Sequence, residues 1–86
     1  MNLQMTKPLK QGAVIGILGG GQLGRMLAVA ASRMGFRTHV FEPQENPPAS
    51  HVSDLVTTAA YEDTEALSKF ASSVDVITFE FENIPT

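Results

Sequence analysis

Two short segments of this 86-residue chain carry residue types that can bind a small ligand. In the first, Gly19, Gly21 and Gly24 have the G-x-G-x-x-G spacing and directly follow an apolar run at residues 13–18. Glycines at this spacing allow a tight turn, close approach of a ligand to the backbone, and close packing of a helix on a strand. The start of that helix offers unpaired N–H groups to an anion or a polar ligand.

The glycine motif alone leaves the ligand open. Glu42, at the end of the next predicted strand, suits a pair of ribose hydroxyls, which favours an NAD(P)-binding module of an oxidoreductase or a nucleotide sensor. The alternative is that the glycines only turn the chain and that Glu42 belongs to an ordinary loop before Pro43. A Walker A loop is excluded, because Arg25 and Met26 follow Gly24 where that loop needs Lys and then Ser or Thr.

The second segment is the acidic end of the last predicted strand, which runs from Asp75 to Phe81. Strand alternation puts Thr78, Glu80 and Glu82 on one side. In an open α/β sheet, ligands bind just outside the carboxyl ends of the strands. Carboxylates there repel a pyrophosphate and attract a sugar or a basic nitrogen. The two glutamates therefore favour a ribose or an amine, and the alternative is that both are simply solvated.

Gln22 is the remaining polar candidate, at the start of the first predicted helix. Its amide both donates and accepts hydrogen bonds, so it suits the edge of a heterocycle. The alternative is a helix-start residue that faces water. We expect Arg25 to be solvated, and the aromatic and Met residues to lie in the core.

These candidates are positioned by alternating strands and helices. The run at residues 13–18 predicts a buried strand, residues 37–42 a second strand, and residues 75–81 a third. Between the first two lies a helix that Gly35 ends. Its apolar residues share one face: Leu23, Met26, Leu27, Ala30 and Met34.

The segment between the second and third strands is less regular. Three prolines at 43, 47 and 48 predict no regular structure, and residues 55–57 predict a short strand or extended segment. Asp63 or Thr64 is expected to cap a second helix. The pattern indicates an α/β protein with a Rossmann-like open parallel sheet (βαβαβ), incomplete in this chain.

Composition excludes several classes of site. The chain has no cysteine, and two scattered histidines, His39 and His51, do not make a metal site, so neither a disulfide nor a metal site is expected. A net charge of −3 argues against a nucleic-acid partner. The run at residues 13–18 is too short and too interrupted for a signal peptide or a membrane span, so we expect a cytoplasmic protein with no membrane partner.

Residues 15–27, IGILGGGQLGRML, and residues 75–85, DVITFEFENIP, together resemble the 5-(carboxyamino)imidazole ribonucleotide synthases of the ATP-grasp superfamily. The resemblance extends from about Gly12 to the last residue. It implies that residues 12–86 are the N-terminal part of a Rossmann-like, pre-ATP-grasp substrate-binding domain, and that the ATP-grasp and C-terminal domains lie outside this chain. Residues 1–11 have no periodicity and are expected to form a flexible extension.

The resemblance also implies an activity. Such ligases use ATP, Mg²⁺ and bicarbonate to carboxylate 5-aminoimidazole ribonucleotide in purine biosynthesis, and they are commonly homodimers. ATP and Mg²⁺ would bind outside this chain, which alone is expected to be inactive. Carried over by position, Gly21, Gln22, Leu23 and Glu80 would contact the ribonucleotide, and Glu82 would either join them or support the strand end. No catalytic residue is assigned.

Overall fold

The computed structural model describes residues 12–79. Four strands and two α-helices follow one another along this part of the chain. They are β1 (Val14–Leu18), α1 (Gln22–Arg33), β2 (Arg37–Glu42), β3 (Leu55–Thr58), α2 (Thr64–Ser72) and β4 (Val76–Phe79). A short 3-10 helix, Pro48–His51, lies between β2 and β3.

The strands form one parallel sheet in the order β3-β2-β1-β4, which confirms the predicted open α/β architecture. The chain first runs outward from β1 to β3 and then crosses back to place β4 on the other side of β1. Leu18, at the end of β1, therefore pairs with both Phe41 of β2 and Phe79 of β4. Such a reversal creates a crevice at the carboxyl ends of the two strands, here β1 and β4.

Each face of the sheet carries one α-helix. Ile15 and Ile17 of β1 pack in one cluster with Ala28 and Ala31 of α1. Leu18 of β1 packs in a second cluster, which also holds Phe41 and Phe70. Side chains alternate between the two faces of a strand, so β1 is covered on both sides, as a central strand of a parallel sheet must be.

Helix α1 approaches the sheet through small residues. Its buried positions are Gly24, Ala28 and Ala31, which let the helix backbone come close to β1. The expected core placement of the methionines is wrong for Met26 and Met34, which are 63% and 57% exposed. Small side chains form the buried face of α1, so the two methionines stay exposed, whereas Leu27 packs partly buried against the core.

The helix ends follow the predicted chemistry. Gly35 has φ 88° directly after the last turn of α1, a left-handed conformation that glycine adopts at little cost. The Asp63 carboxylate caps α2 by accepting from the N–H of Ala66 at 3.0 Å. The expectation of no regular structure after β2 is wrong at Pro48–His51, because proline at the first position of a helix needs no N–H partner there.

The side chain of His39 connects β2 to β3 and to α2, on the face of the sheet that α2 covers. Its Nδ1 lies 2.9 Å from Ser73 Oγ, and its Nε2 lies 2.6 Å from Thr57 Oγ1. The ring also meets Phe70 edge-on, with 4.8 Å between centroids. Burial lowers the pKa of His39 from its ordinary value, because a charged imidazolium would lose its hydration.

Replacing Gly24 by Ala is expected to destabilise the chain. An added Cβ would lie 2.4 Å from the carbonyl oxygen of Gly19, a backbone atom that cannot turn aside. Overpacking of this kind costs about 3 kcal/mol, and the better helix propensity of Ala recovers about 1 kcal/mol, leaving a net loss of about 2 kcal/mol. Urea unfolding measures it, with Ser32→Ala on the exposed face of α1 as the matched control. Equal stability of the two variants would contradict this packing.

Acidification is expected to destabilise the fold through His39. Its folded-state pKa lies below 6.5, so the unfolded chain takes up the proton more readily, and the unfolding free energy falls as the pH drops below 6.5. One such proton contributes at most about 1.4 kcal/mol per pH unit. The slope should be shallower in His39→Gln than in wild type, and His51→Gln, which alters an exposed histidine, serves as the control. Identical slopes for wild type and His39→Gln would refute this assignment.

Candidate functional site

The glycine turn leaves β1 at the crevice between β1 and β4. Gly19 has φ 106°, and its N–H donates to the carbonyl oxygen of Phe41 at 2.9 Å, so the turn starts from the β1–β2 ladder. Gly21 is the N-cap of α1, and its carbonyl oxygen accepts the N–H of Arg25 at 2.9 Å. Because glycine has no side chain, the N-cap residue itself makes no side-chain capping bond. The turn therefore presents backbone, rather than side chains, at the helix start.

The predicted substrate-binding residues of this turn are accessible. Gln22, the first residue of α1, is exposed, and Leu23 is 40% exposed. Gly21 precedes them and is partly exposed. Arg25 is exposed, as expected for a solvated residue. The structure thus brings Gly21, Gln22 and Leu23 together on one open surface.

Gly20 is required by packing although it stands outside the G-x-G-x-x-G positions. An added Cβ would lie 2.8 Å from Pro47 Cβ and 3.1 Å from Glu42 Cγ. The Gly20 carbonyl oxygen accepts the N–H of Ala49 at 3.0 Å. Sequence reasoning missed Pro47 and Ala49, because their contact with the turn joins segments far apart in the chain and no local pattern signals it.

Glu42 faces the turn. Its Oε1 accepts the N–H of Gly20 at 2.8 Å, and its Oε2 accepts the N–H of Gln44 at 3.0 Å. The carboxylate thus bonds protein backbone. The ribose-binding acid of an NAD(P) site would instead face its ligand. This geometry gives Glu42 a role in holding the turn and lends no support to the dinucleotide alternative.

Tyr61 lies beside Glu42 at the same edge of the sheet. Its ring stacks on Phe41 with 5.7 Å between centroids. Burial, and secondly the negative charge of Glu42, raise the pKa of the Tyr61 phenol. The phenol therefore stays neutral at physiological pH. Nothing in the sequence pattern distinguished Tyr61 from the other aromatic residues.

The described part of β4 ends beside the turn. Phe79, its last residue, pairs with Leu18, the residue directly before Gly19. The predicted alternation is confirmed here, because Thr78 is buried on the α1 side, whereas Phe79 is 63% exposed. That exposure makes the expected core placement of Phe79 wrong. Glu80 and Glu82 lie outside the described residues, so their meeting with Gln22 stays a prediction.

Among residues 12–79, no group of three or more His, Cys, Asp or Glu side chains is arranged to hold a metal ion. Neither helix within this range has the length and apolar character needed to cross a membrane.

Known proteins resemble this chain closely. It is 56% identical over 77 residues to an N5-carboxyaminoimidazole ribonucleotide synthase of Brucella melitensis. The aligned residues make up 90% of this chain and 21% of that relative. The crystal structure of N5-carboxyaminoimidazole synthetase from Staphylococcus aureus complexed with ADP superposes with a TM-score of 0.83 at 48% identity, covering 90% of this chain and 21% of that protein.

A third similar protein was solved with two ligands. It is the N5-carboxyaminoimidazole synthase of Aspergillus clavatus in complex with ADP and 5-aminoimidazole ribonucleotide. It superposes with a TM-score of 0.73 at 36% identity, covering 87% of this chain and 20% of that protein. This chain thus spans about a fifth of the length of the relatives it matches.

The family comparison covers nearly the whole chain. Residues 13–86 match the model of the ribonucleotide synthetase preATP-grasp domain. The match includes β1, the glycine turn and the acidic segment that follows Phe79. From this match and the parallel sheet, the chain belongs to the ribonucleotide synthetase preATP-grasp domain family.

Proposed function

We propose that this chain is the opening part of the substrate-binding domain of an ATP-dependent ligase that carboxylates 5-aminoimidazole ribonucleotide in de novo purine biosynthesis. The observation that carries the proposal is the likeness to the Aspergillus clavatus synthase, which was solved with ADP and this ribonucleotide. The Brucella melitensis relative, at 56% identity, bears the name of the same activity.

The proposed reaction joins a carboxyl group to the exocyclic amine of the ribonucleotide. Bicarbonate attacks the γ-phosphorus of ATP, giving carboxyphosphate and ADP. The amine nitrogen then attacks the carboxyl carbon, the bond to phosphate breaks, and the nitrogen loses a proton. ATP and Mg²⁺ belong to parts of the full-length protein outside this chain, so this chain contributes to binding and orienting the ribonucleotide.

The proposed contacts lie at the open end of β1. Gly21, Gln22 and Leu23 meet the ribonucleotide from the glycine turn, where the exposed amide of Gln22 and the backbone at the start of α1 offer polar groups. Glu80 meets its ribose or amine from the segment after β4, and Glu82 either joins this contact or supports the end of the strand. The pairing of Phe79 with Leu18 supports this arrangement. The glycine turn follows Leu18 and Glu80 follows Phe79, so both come directly after the paired ends of neighbouring strands.

The proposal extends to the setting of the enzyme. The full-length protein is expected to be a cytoplasmic homodimer that takes up bicarbonate as its second small substrate. These features rest on the resemblance to the synthases, and gel filtration of the full-length protein tests the dimer.

Glu80→Ala in the full-length protein is expected to raise the KM for 5-aminoimidazole ribonucleotide by at least about tenfold, because the variant loses a charge-assisted hydrogen bond to the substrate. Gln22→Ala should raise the same KM by a smaller factor, since a neutral hydrogen bond contributes less. Steady-state kinetics with the ribonucleotide varied at saturating ATP measure both. Glu62→Gln, which changes an exposed acid elsewhere, is the control. Unchanged substrate kinetics in Glu80→Ala would remove the assigned site.

The 86-residue chain by itself is expected to have no carboxylating activity and no nucleotide-dependent stabilisation. A ligand that binds the folded state raises the melting temperature, so millimolar ATP should leave the melting temperature unchanged if its site lies elsewhere. NADH serves as the parallel probe. A rise with ATP would contradict the placement of the ATP site, whereas a rise with NADH would favour the dinucleotide-binding alternative.

A further inference from the structure

Gly20 is held from two sides, unlike an ordinary turn residue. Its N–H donates to Glu42 at 2.8 Å, and its carbonyl oxygen accepts from Ala49 at 3.0 Å. Pro47 packs directly against its α-carbon. These partners come from the last residue of β2 and from the segment that follows it, so the peptide groups on both sides of Gly20 are fixed from outside the turn.

A run of three glycines needs such an external support. Glycine has the widest choice of backbone conformations, and Gly19–Gly21 contains no side chain that could restrict its own rotation. Rotation about the Gly20 peptides would move Gly21 and the start of α1, including Gln22. The orientation of these groups therefore depends on bonds that come from outside the turn.

The Glu42 carboxylate is the charged member of this support. It bridges two backbone N–H groups, one in each loop, with one oxygen on Gly20 and the other on Gln44. Hydrogen bonds to an ionised acceptor are about twice as strong as neutral ones, and the partial burial of Glu42 reduces competition from water. Because β1 pairs with β2, the loops that follow them start side by side and a single side chain can bridge them.

We infer that Glu42 is a positioning residue for ribonucleotide binding: it locks the Gly20 peptide and thereby sets the orientation of Gly21 and Gln22. This inference rests on the proposed function, because it takes the glycine turn as part of the ribonucleotide site. Glu42 does not touch the substrate. Its loss disorders the turn and weakens ribonucleotide binding, while ATP, bound elsewhere, is unaffected.

The test compares Glu42→Ala and Glu42→Gln in the full-length protein, with Glu45→Gln as the matched control for a lost charge on an exposed acid of the same loop. Glu42→Ala should raise the KM for 5-aminoimidazole ribonucleotide up to about tenfold, because the lost charge-assisted hydrogen bond lowers the population of the turn conformation that binds the ribonucleotide. The KM for ATP and kcat should stay within about twofold. Glu42→Gln, which keeps one acceptor oxygen, should recover part of the loss, and Glu45→Gln should match wild type.

Three outcomes overturn the inference. The first is a folded Glu42→Ala enzyme with an unchanged ribonucleotide KM. The second is an equal rise in both KM values together with a lower melting temperature, which is the pattern of a merely structural residue. The third is a Glu42→Ala enzyme with raised KM values for both substrates, while Glu42→Gln and Glu45→Gln keep the KM values of wild type. In that case the negative charge of Glu42 has no role in ribonucleotide binding. Failure of wild type to use the ribonucleotide at all is a different result, because it removes the proposed function itself.

Discussion

The contact between Gly24 and the Gly19 carbonyl is the constraint on which the rest of this structure depends. An added Cβ at Gly24 would lie 2.4 Å from that oxygen, so only a glycine lets α1 begin this close to the end of β1. The close approach places Ala28 and Ala31 against Ile15 and Ile17. It also places the start of α1 beside the carboxyl end of β1, so one packing requirement fixes both the core and the position of the site.

The site is built mainly from backbone that neighbouring segments hold in place. β1 and β2 end side by side, and the Gly19 N–H extends their ladder by bonding Phe41. The carboxylate of Glu42 then continues the link to Gly20. This arrangement leaves Gln22 exposed at the rim of the crevice. A parallel sheet thus supplies the rigid base, and the loop after β2 restrains the glycine turn.

Local patterns predicted most of the fold, because local chemistry determines it. The residue range of β2, the left-handed Gly35 and the Asp63 cap all follow from propensities read over a few residues. The failures at Met26 and Phe79 have a different origin. Apolar periodicity indicates a helix or strand face but does not say which neighbour covers it, and in α1 the contact face is made of residues too small to stand out in a hydrophobic pattern.

The candidate site was predictable in part for the same reason. The glycine spacing located the turn, and the position of Gln22 follows directly from it. The contact of Glu42 with Gly20 was not predictable, since it joins two loops, and the sequence left a ribose-binding acid and an ordinary loop residue as alternatives. A crystal structure of the full-length protein with 5-aminoimidazole ribonucleotide is the most direct measurement. We predict ribonucleotide atoms within about 3.2 Å of both Gln22 and Glu80; a ribonucleotide bound away from the glycine turn would contradict the account.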